Sequence, residues 1–254
     1  MNLSNQDHTL ERKIYIGNIP VIRFVPKEKK EDKYKTIVFY HGWSSNKESQ
    51  RLRAYILASL GYQVIVPDAI NHGERGIVDY LDPSVGVDKF WPTVIENINE
   101  FNKIKKYIVN FLNGDIEKIA VTGNSMGGIT TAGILANDED IKTGVVLNGS
   151  CNWTMTNEIF RDMLKIDNDT IFRNIEDSIY DIDPINNLNN LKGKNILLQH
   201  GLSDSVVNIK PQISFFNRIN KKDTNIELIR YENLNHFVTT NMMEEMINWF
   251  DKYL

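Results

Sequence analysis

The sequence predicts an α/β fold: a mostly parallel central sheet with helices on both faces and a small lid insertion. Three observations predict it. Short unbroken apolar runs ("KTIVFY", "QVIVP", "KIAVTG", "TGVVLNG", "KNILLQHG") recur through the chain. Between them lie stretches whose apolar residues recur at three- and four-residue steps. From residue 35 onward the two kinds alternate, as expected of parallel strands covered on both faces by crossover helices.

In chain order, "RKIYI" and "PVIRFV" read as two strands with a turn at Gly17–Asn18. A strand follows at 35–40, a helix at 49–61 that stops at Gly61, and a strand at 63–67. The stretch 71–91 is long for a loop, which suggests that it lines a site. The strongest helical spacing covers 92–112, with Gly114 after its end. Then come a strand at 118–123, a helix of small residues at 126–136 and a strand at 143–149. Residues 150–192 break the rhythm and read as a lid-like insertion over one end of the sheet. Strand 194–201, helix 209–220 and strand 225–232 resume it, and Met243, Met246, Ile247, Phe250 and Leu254 mark one face of a closing helix.

The 254 residues suit a single domain, 1–254, large enough to bury a full core. A net charge of −4 offers no field for nucleic acid or an anionic membrane. The mixed-sign run Lys27–Lys33 reads as a solvated loop. One cysteine, Cys151, excludes an intrachain disulfide and a cysteine metal cluster. The polar N-terminus lacks a signal-peptide pattern and no apolar run reaches the roughly 20 residues of a membrane span, so a cytoplasmic protein is expected.

Ligands of open parallel sheets bind beyond the carboxyl ends of the strands. The residues there are His41 and Trp43, Asp68 to His72, Ser125, Asn148 to Trp153, His200 to Asp204, and Asn233 to His236. Gly123-Asn124-Ser125-Met126-Gly127 is Gly-x-Ser-x-Gly between a strand and a helix. A serine on such a turn has strained backbone angles, and the flanking glycines let neighbouring elements pass close, so Oγ stays exposed. A serine hydroxyl needs a base. His8 lies in the N-terminal tail, and His41 and His200 end strands, where backbone hydrogen bonds would satisfy them. His236, in the loop before the closing helix, is the expected base, and Asp204 the carboxylate that orients it. Asp223 is nearer to His236 in sequence but sits in a charged turn. The backbone N–H groups of Met126 and Trp43 are the expected oxyanion donors.

Together, "FYHGWSSNK", "VIVPDAINHGERG", "VTGNSMGG", "LLQHGLSDSVV" and "NLNHF" resemble the α/β-hydrolase superfamily over about residues 35–254. The chain looks like a small bacterial serine esterase of the dienelactone-hydrolase and prolyl-oligopeptidase branch, with His72-Gly73-Glu74-Arg75 the most branch-specific piece. The resemblance implies a Ser-His-Asp hydrolase of esters, with a small-molecule substrate and no metal or organic cofactor. Two departures stand out. Dienelactone hydrolases use a cysteine where this chain has Ser125, and the Gly-Gly-Gly loop of some lipases is replaced by His41-Gly42-Trp43. The short insertion favours short-acyl esters. A peptidase, an aminoacyl-ester hydrolase and an acyltransferase would use the same triad, and a scaffold without turnover would be a ligand-binding protein. Asp68, Glu74 and Arg75 are expected to anchor the 69–75 loop. Cys151 reads as buried and Met242, Met243 and Met246 as core. His72, Trp91 and Trp153 lie on segments that border the site.

Overall fold

The structure is a computed structural model describing residues 9–27, 32–165 and 169–254. His8 and residues 28–31 of the charged run fall outside the described residues. Eight strands form one sheet: β1 (Thr9–Ile16), β2 (Ile19–Pro26), β3 (Tyr34–Tyr40), β4 (Gln63–Pro67), β5 (Gly114–Asn124), β6 (Thr143–Leu147), β7 (Asn195–Gly201) and β8 (Asn225–Tyr231). Their spatial order is β1-β2-β4-β3-β5-β6-β7-β8. β3 to β8 are mutually parallel, and β2 runs antiparallel to both of its neighbours, β4 and β1. The β1–β2 hairpin turns at Gly17, whose φ of +65° suits the first central position of a type II′ turn.

Alternation along the strands sends neighbouring residues to opposite faces. Val38, Val121, Val146 and Leu198 pack in one cluster with α2 (Pro83–Phe111), α3 (Met126–Asn137) and α6 (Lys210–Arg218), through Phe101, Ile104, Leu135 and Phe215. Ile37, Ala120, Val145 and Leu197 pack in another with α1 (Arg51–Ser59) and α7 (Thr240–Tyr253), through Leu57, Met242, Met246 and Phe250. The apolar runs are unbroken because both faces are covered.

The main departure from the sequence expectation is α2. It begins at Pro83, inside the segment read as a long loop, and carries Pro92 in its interior. Asp82 caps it by accepting from the Ser84 N–H at 2.8 Å, and Pro83 takes a first-turn position where no N–H is needed. The apolar spacing that marked the helix begins only at 92, which placed the expected boundary nine residues late. Residues 150–192 hold α4 (Trp153–Leu164), α5 (Asp169–Tyr180) and two short 3-10 turns. Asp183 ties the insertion together, accepting from the N–H groups of Trp153, Thr154 and Ile185. Among the described residues no helix is long and apolar enough to cross a membrane.

Candidate active site

Ser125 sits between β5 and α3 with φ +59° and ψ −122°, a strained conformation for a residue with a side chain. Gly123 and Gly127 permit it. A Cβ on Gly123 would lie 2.8 Å from the Tyr40 carbonyl oxygen, and one on Gly127 2.6 Å from the Tyr40 carbonyl carbon. Helix α3 therefore starts hard against the end of β3. The 41–43 loop also passes near, though less tightly: a Cβ on Gly42 would stand 3.3 Å from Ser125 Cβ. Met126 opens α3, where first-turn N–H groups lack intrahelical acceptors. The Trp43 N–H has no hydrogen-bond partner among the described residues.

Asp204 and His236 meet: His236 Nδ1 lies 2.7 Å from Asp204 Oδ2, so Nδ1 carries the proton and Nε2 is left as the acceptor. Asp204 Oδ1 accepts from the N–H groups of Val206 and Val207, each at 2.9 Å. The other carboxylate oxygen has a second imidazole beside it, His200 Nε2 at 3.3 Å. Burial pushes the Asp204 carboxyl up. The hydrogen bonds from His200 and His236, and the charge of His236, outweigh burial and hold it well below the usual carboxylate range. His200 does satisfy a backbone carbonyl, that of Val207 at 2.8 Å, but its place against Asp204 is an addition to the sequence reading. The four-residue spacing of His200 and Asp204 across the turn after β7 was its only trace.

A second unforeseen residue, Asn148, ties three loops together. Its Nδ2 donates to the Phe237 carbonyl at 3.0 Å and approaches Asn124 Oδ1 at 3.4 Å, while its Oδ1 accepts from the Gly201 N–H at 3.2 Å. One amide thus links the neighbours of Ser125 and His236 to the strand that leads into Asp204. Asn148 takes φ +44°, which asparagine tolerates better than most residues. The loops after β7 and β8 are stitched further by Asn235 Oδ1, which accepts from the Ser205 N–H at 2.9 Å.

The other histidines lie elsewhere. His41 bonds the Gly42 carbonyl and the Ala69 N–H, and burial pushes its pKa down to about 4. His72 is buried, stacks on Tyr80 and bonds the Ile70 carbonyl. Asp68, Glu74 and Arg75 form an anchoring network with Lys47 and Glu100. Asp223 accepts from Asn220 in its own turn. Cys151 is buried, and burial pushes its thiol up. Among the described residues no three His, Cys, Asp or Glu side chains group as a metal site.

A pocket of about 360 Å³ opens beside Ser125. Trp43, Tyr80, Phe90, Trp91, Phe160 and Phe172 form an aromatic wall, so both the 80–91 segment and the insertion contribute to it. Trp153 is not part of the lining. It packs behind Trp91, with ring centroids 5.4 Å apart.

A mostly parallel sheet with a strained serine at the strand-to-helix turn and an Asp–His pair on the loops beyond is the α/β-hydrolase arrangement of a serine hydrolase. Within that class, the model of the prolyl oligopeptidase family matches residues 48–254, and the chain belongs to this family. Two relatives carry esterase names. "Putative esterase YitV" of Bacillus subtilis is 29% identical over 256 residues, covering 94% of this chain and 97% of that one. "Esterase YjfP" of Escherichia coli is 26% identical over 246 residues, with the same coverage of 94% and 97%. In fold, the chain resembles TT1662 from Thermus thermophilus at a TM-score of 0.76 and 14% identity, covering 96% and 98% of the two chains.

Proposed function

We propose that the protein is a carboxylesterase that cleaves short-acyl esters through Ser125, His236 and Asp204. The observation that carries this reading is the Asp204–His236 pair, held on loops that Asn148 ties to the turn bearing Ser125. Ser125 attacks the ester carbonyl while His236 Nε2 takes its proton, and Asp204 stabilises the imidazolium. The N–H groups of Met126 and Trp43 receive the oxyanion. The alcohol leaves with the proton from His236, and water, activated by the same imidazole, releases the acid. The esterase names of two relatives support the substrate class. Residues 150–192 act as a lid, since α4 and α5 supply Phe160 and Phe172 to the pocket.

Hydrolysis of p-nitrophenyl acetate, butyrate and octanoate by the wild type and Ser125→Ala tests this, together with fluorophosphonate labelling and peptide mapping. The expected result is turnover that falls with acyl length, is abolished in Ser125→Ala, and coincides with label on Ser125. Turnover retained by Ser125→Ala would refute the nucleophile. A kcat/KM that rises steadily with acyl length would refute the short-acyl preference.

A further inference from the structure

The pocket beside Ser125 has a neighbour. A second cavity, of about 770 Å³, lies against α2 and α5, with Pro92, Ile171 and Asn174 in its lining. Among the described residues, four line both spaces: Asp82, Pro83, Val87 and Ile175. A residue that contributes to two cavities stands between them. Asp82 and Pro83 are the exposed cap and first residue of α2. Val87 and Ile175 are the half-buried apolar pair, one from α2 and one from α5. Ile175 also packs against the cluster of Trp91, Met126 and Trp153, so it closes the seam from the side of the insertion.

The residue before Val87 keeps room on the near side. Gly86 lines the pocket beside Ser125 but not the second cavity. It lies inside α2, where glycine is less favourable than alanine. Its φ is not positive, and a Cβ added to it would meet nothing within 4 Å. Neither the backbone conformation nor close packing requires glycine there, so what a side chain would take up is pocket space.

We propose that Gly86, Val87 and Ile175 are specificity-determining residues that set the length of chain the substrate pocket accepts: Gly86 leaves the way along α2 open, and Val87 and Ile175 end it. This rests on the proposed esterase reading, whose short-chain limit it explains. A chain that fits on the Ser125 side of the partition is accepted. One long enough to reach into the second cavity is turned away.

Binding of methyl ketones, from methyl ethyl ketone to methyl octyl ketone, tests the inference without turnover. A methyl ketone carries the reacting carbonyl and a single chain, which takes whichever direction the pocket accepts. Calorimetric affinity for the wild type should rise about fourfold with each added CH2 and then stop rising, at the length where the chain meets the partition. Ile175→Ala should move that break to longer chains, so that the first ketone beyond the wild-type break binds the variant about fourfold more tightly than the wild type. Gly86→Leu should move the break to shorter chains. Ile171→Ala, at a position that lines only the second cavity, should leave it in place. A break that stays put in Ile175→Ala or in Gly86→Leu, an equal shift in Ile171→Ala, affinity that climbs through the whole series in the wild type, or no binding by any ketone would overturn the inference. Ester assay separates this from the esterase reading: hydrolysis retained by Ser125→Ala would refute the nucleophile and leave the ketone result standing.

Discussion

Two buried aspartates stand at the carboxyl edge of the sheet, and their partners differ in kind. Asp68, after β4, accepts from Lys47 Nζ at 2.5 Å and from the N–H groups of Lys47 and Glu74 at 2.9 and 3.0 Å. Burial alone would pull Lys47 down, but its hydrogen bonds to Asp68 and Glu74 outweigh burial and hold it above the ordinary lysine value. Asp68 thus faces a fixed cation and fixed backbone. Asp204, after β7, faces two backbone N–H groups on one side and two imidazoles on the other. One of those rings, His236, is 17% exposed and has Nε2 to spare. Burial of a carboxylate at this edge therefore does not mark chemistry. In the proposed mechanism, what sets Asp204 apart is its partly exposed imidazole partner.

The sharpest break of this comparison is a pair of isosteric substitutions. Asp204→Asn should lower kcat by about 10⁴-fold, because an amide no longer dictates the tautomer of the His236 ring. Asp68→Asn should leave kcat of the folded enzyme essentially unchanged and cost about 3–5 kcal/mol of stability, the usual consequence of leaving one partner of a buried ion pair alone. Ester turnover and urea unfolding of both variants check this. If Asp68→Asn matched Asp204→Asn in lost turnover, the division into anchor and acid would fail.

The anchoring side should also show itself in acid. His41 is fully enclosed, with both ring nitrogens on backbone groups, and its pKa of about 4 lies below the ordinary histidine value. Between pH 6.5 and about 4 the unfolded chain binds the extra proton, so stability falls as pH drops through this window and levels off below it. The full shift corresponds to about 3 kcal/mol. Unfolding midpoints measured from pH 7 to pH 4 should therefore decline, and His41→Asn should remove the His41 share of that slope, leaving that of His72, whose pKa burial also lowers. An unchanged slope in the variant would move the acid sensitivity elsewhere.

Much of the sheet was readable from the sequence, because the central strands β3 to β7 carry apolar runs closed by Gly, Pro or a polar residue, while the edge strands β1 and β8 mix in charged residues. Ser125 was readable because the close approach of β3 requires glycine at 123 and 127. The start of α2 was not, since its first turns, from Pro83 to Trp91, lack the regular apolar spacing that marks 92–112. His200 and Asn148 stood at strand ends where the sequence reading placed them, yet their partners come from loops that only the folded sheet brings together.

The smallest expected effect is the most discriminating for His200. Its Nε2 lies 2.8 Å from the Val207 carbonyl and 3.3 Å from Asp204 Oδ2, both acceptors, so the ring holds the Asp204 loop without touching Ser125 chemistry directly. In the proposed mechanism it is a positioning residue. His200→Phe keeps a ring and removes the donor. Asp204 would keep its two backbone donors and His236, so the loss should be about tenfold in kcat with KM unchanged, the worth of one hydrogen bond lost from a charged acceptor. His200→Gln, which retains a donor, should recover most of it. A purely structural histidine would lower stability in both variants without splitting kcat from KM. A fall as large as that of Asp204→Asn would instead make His200 part of the acid itself, and the two imidazoles would no longer divide into one that moves protons and one that holds the carboxylate still.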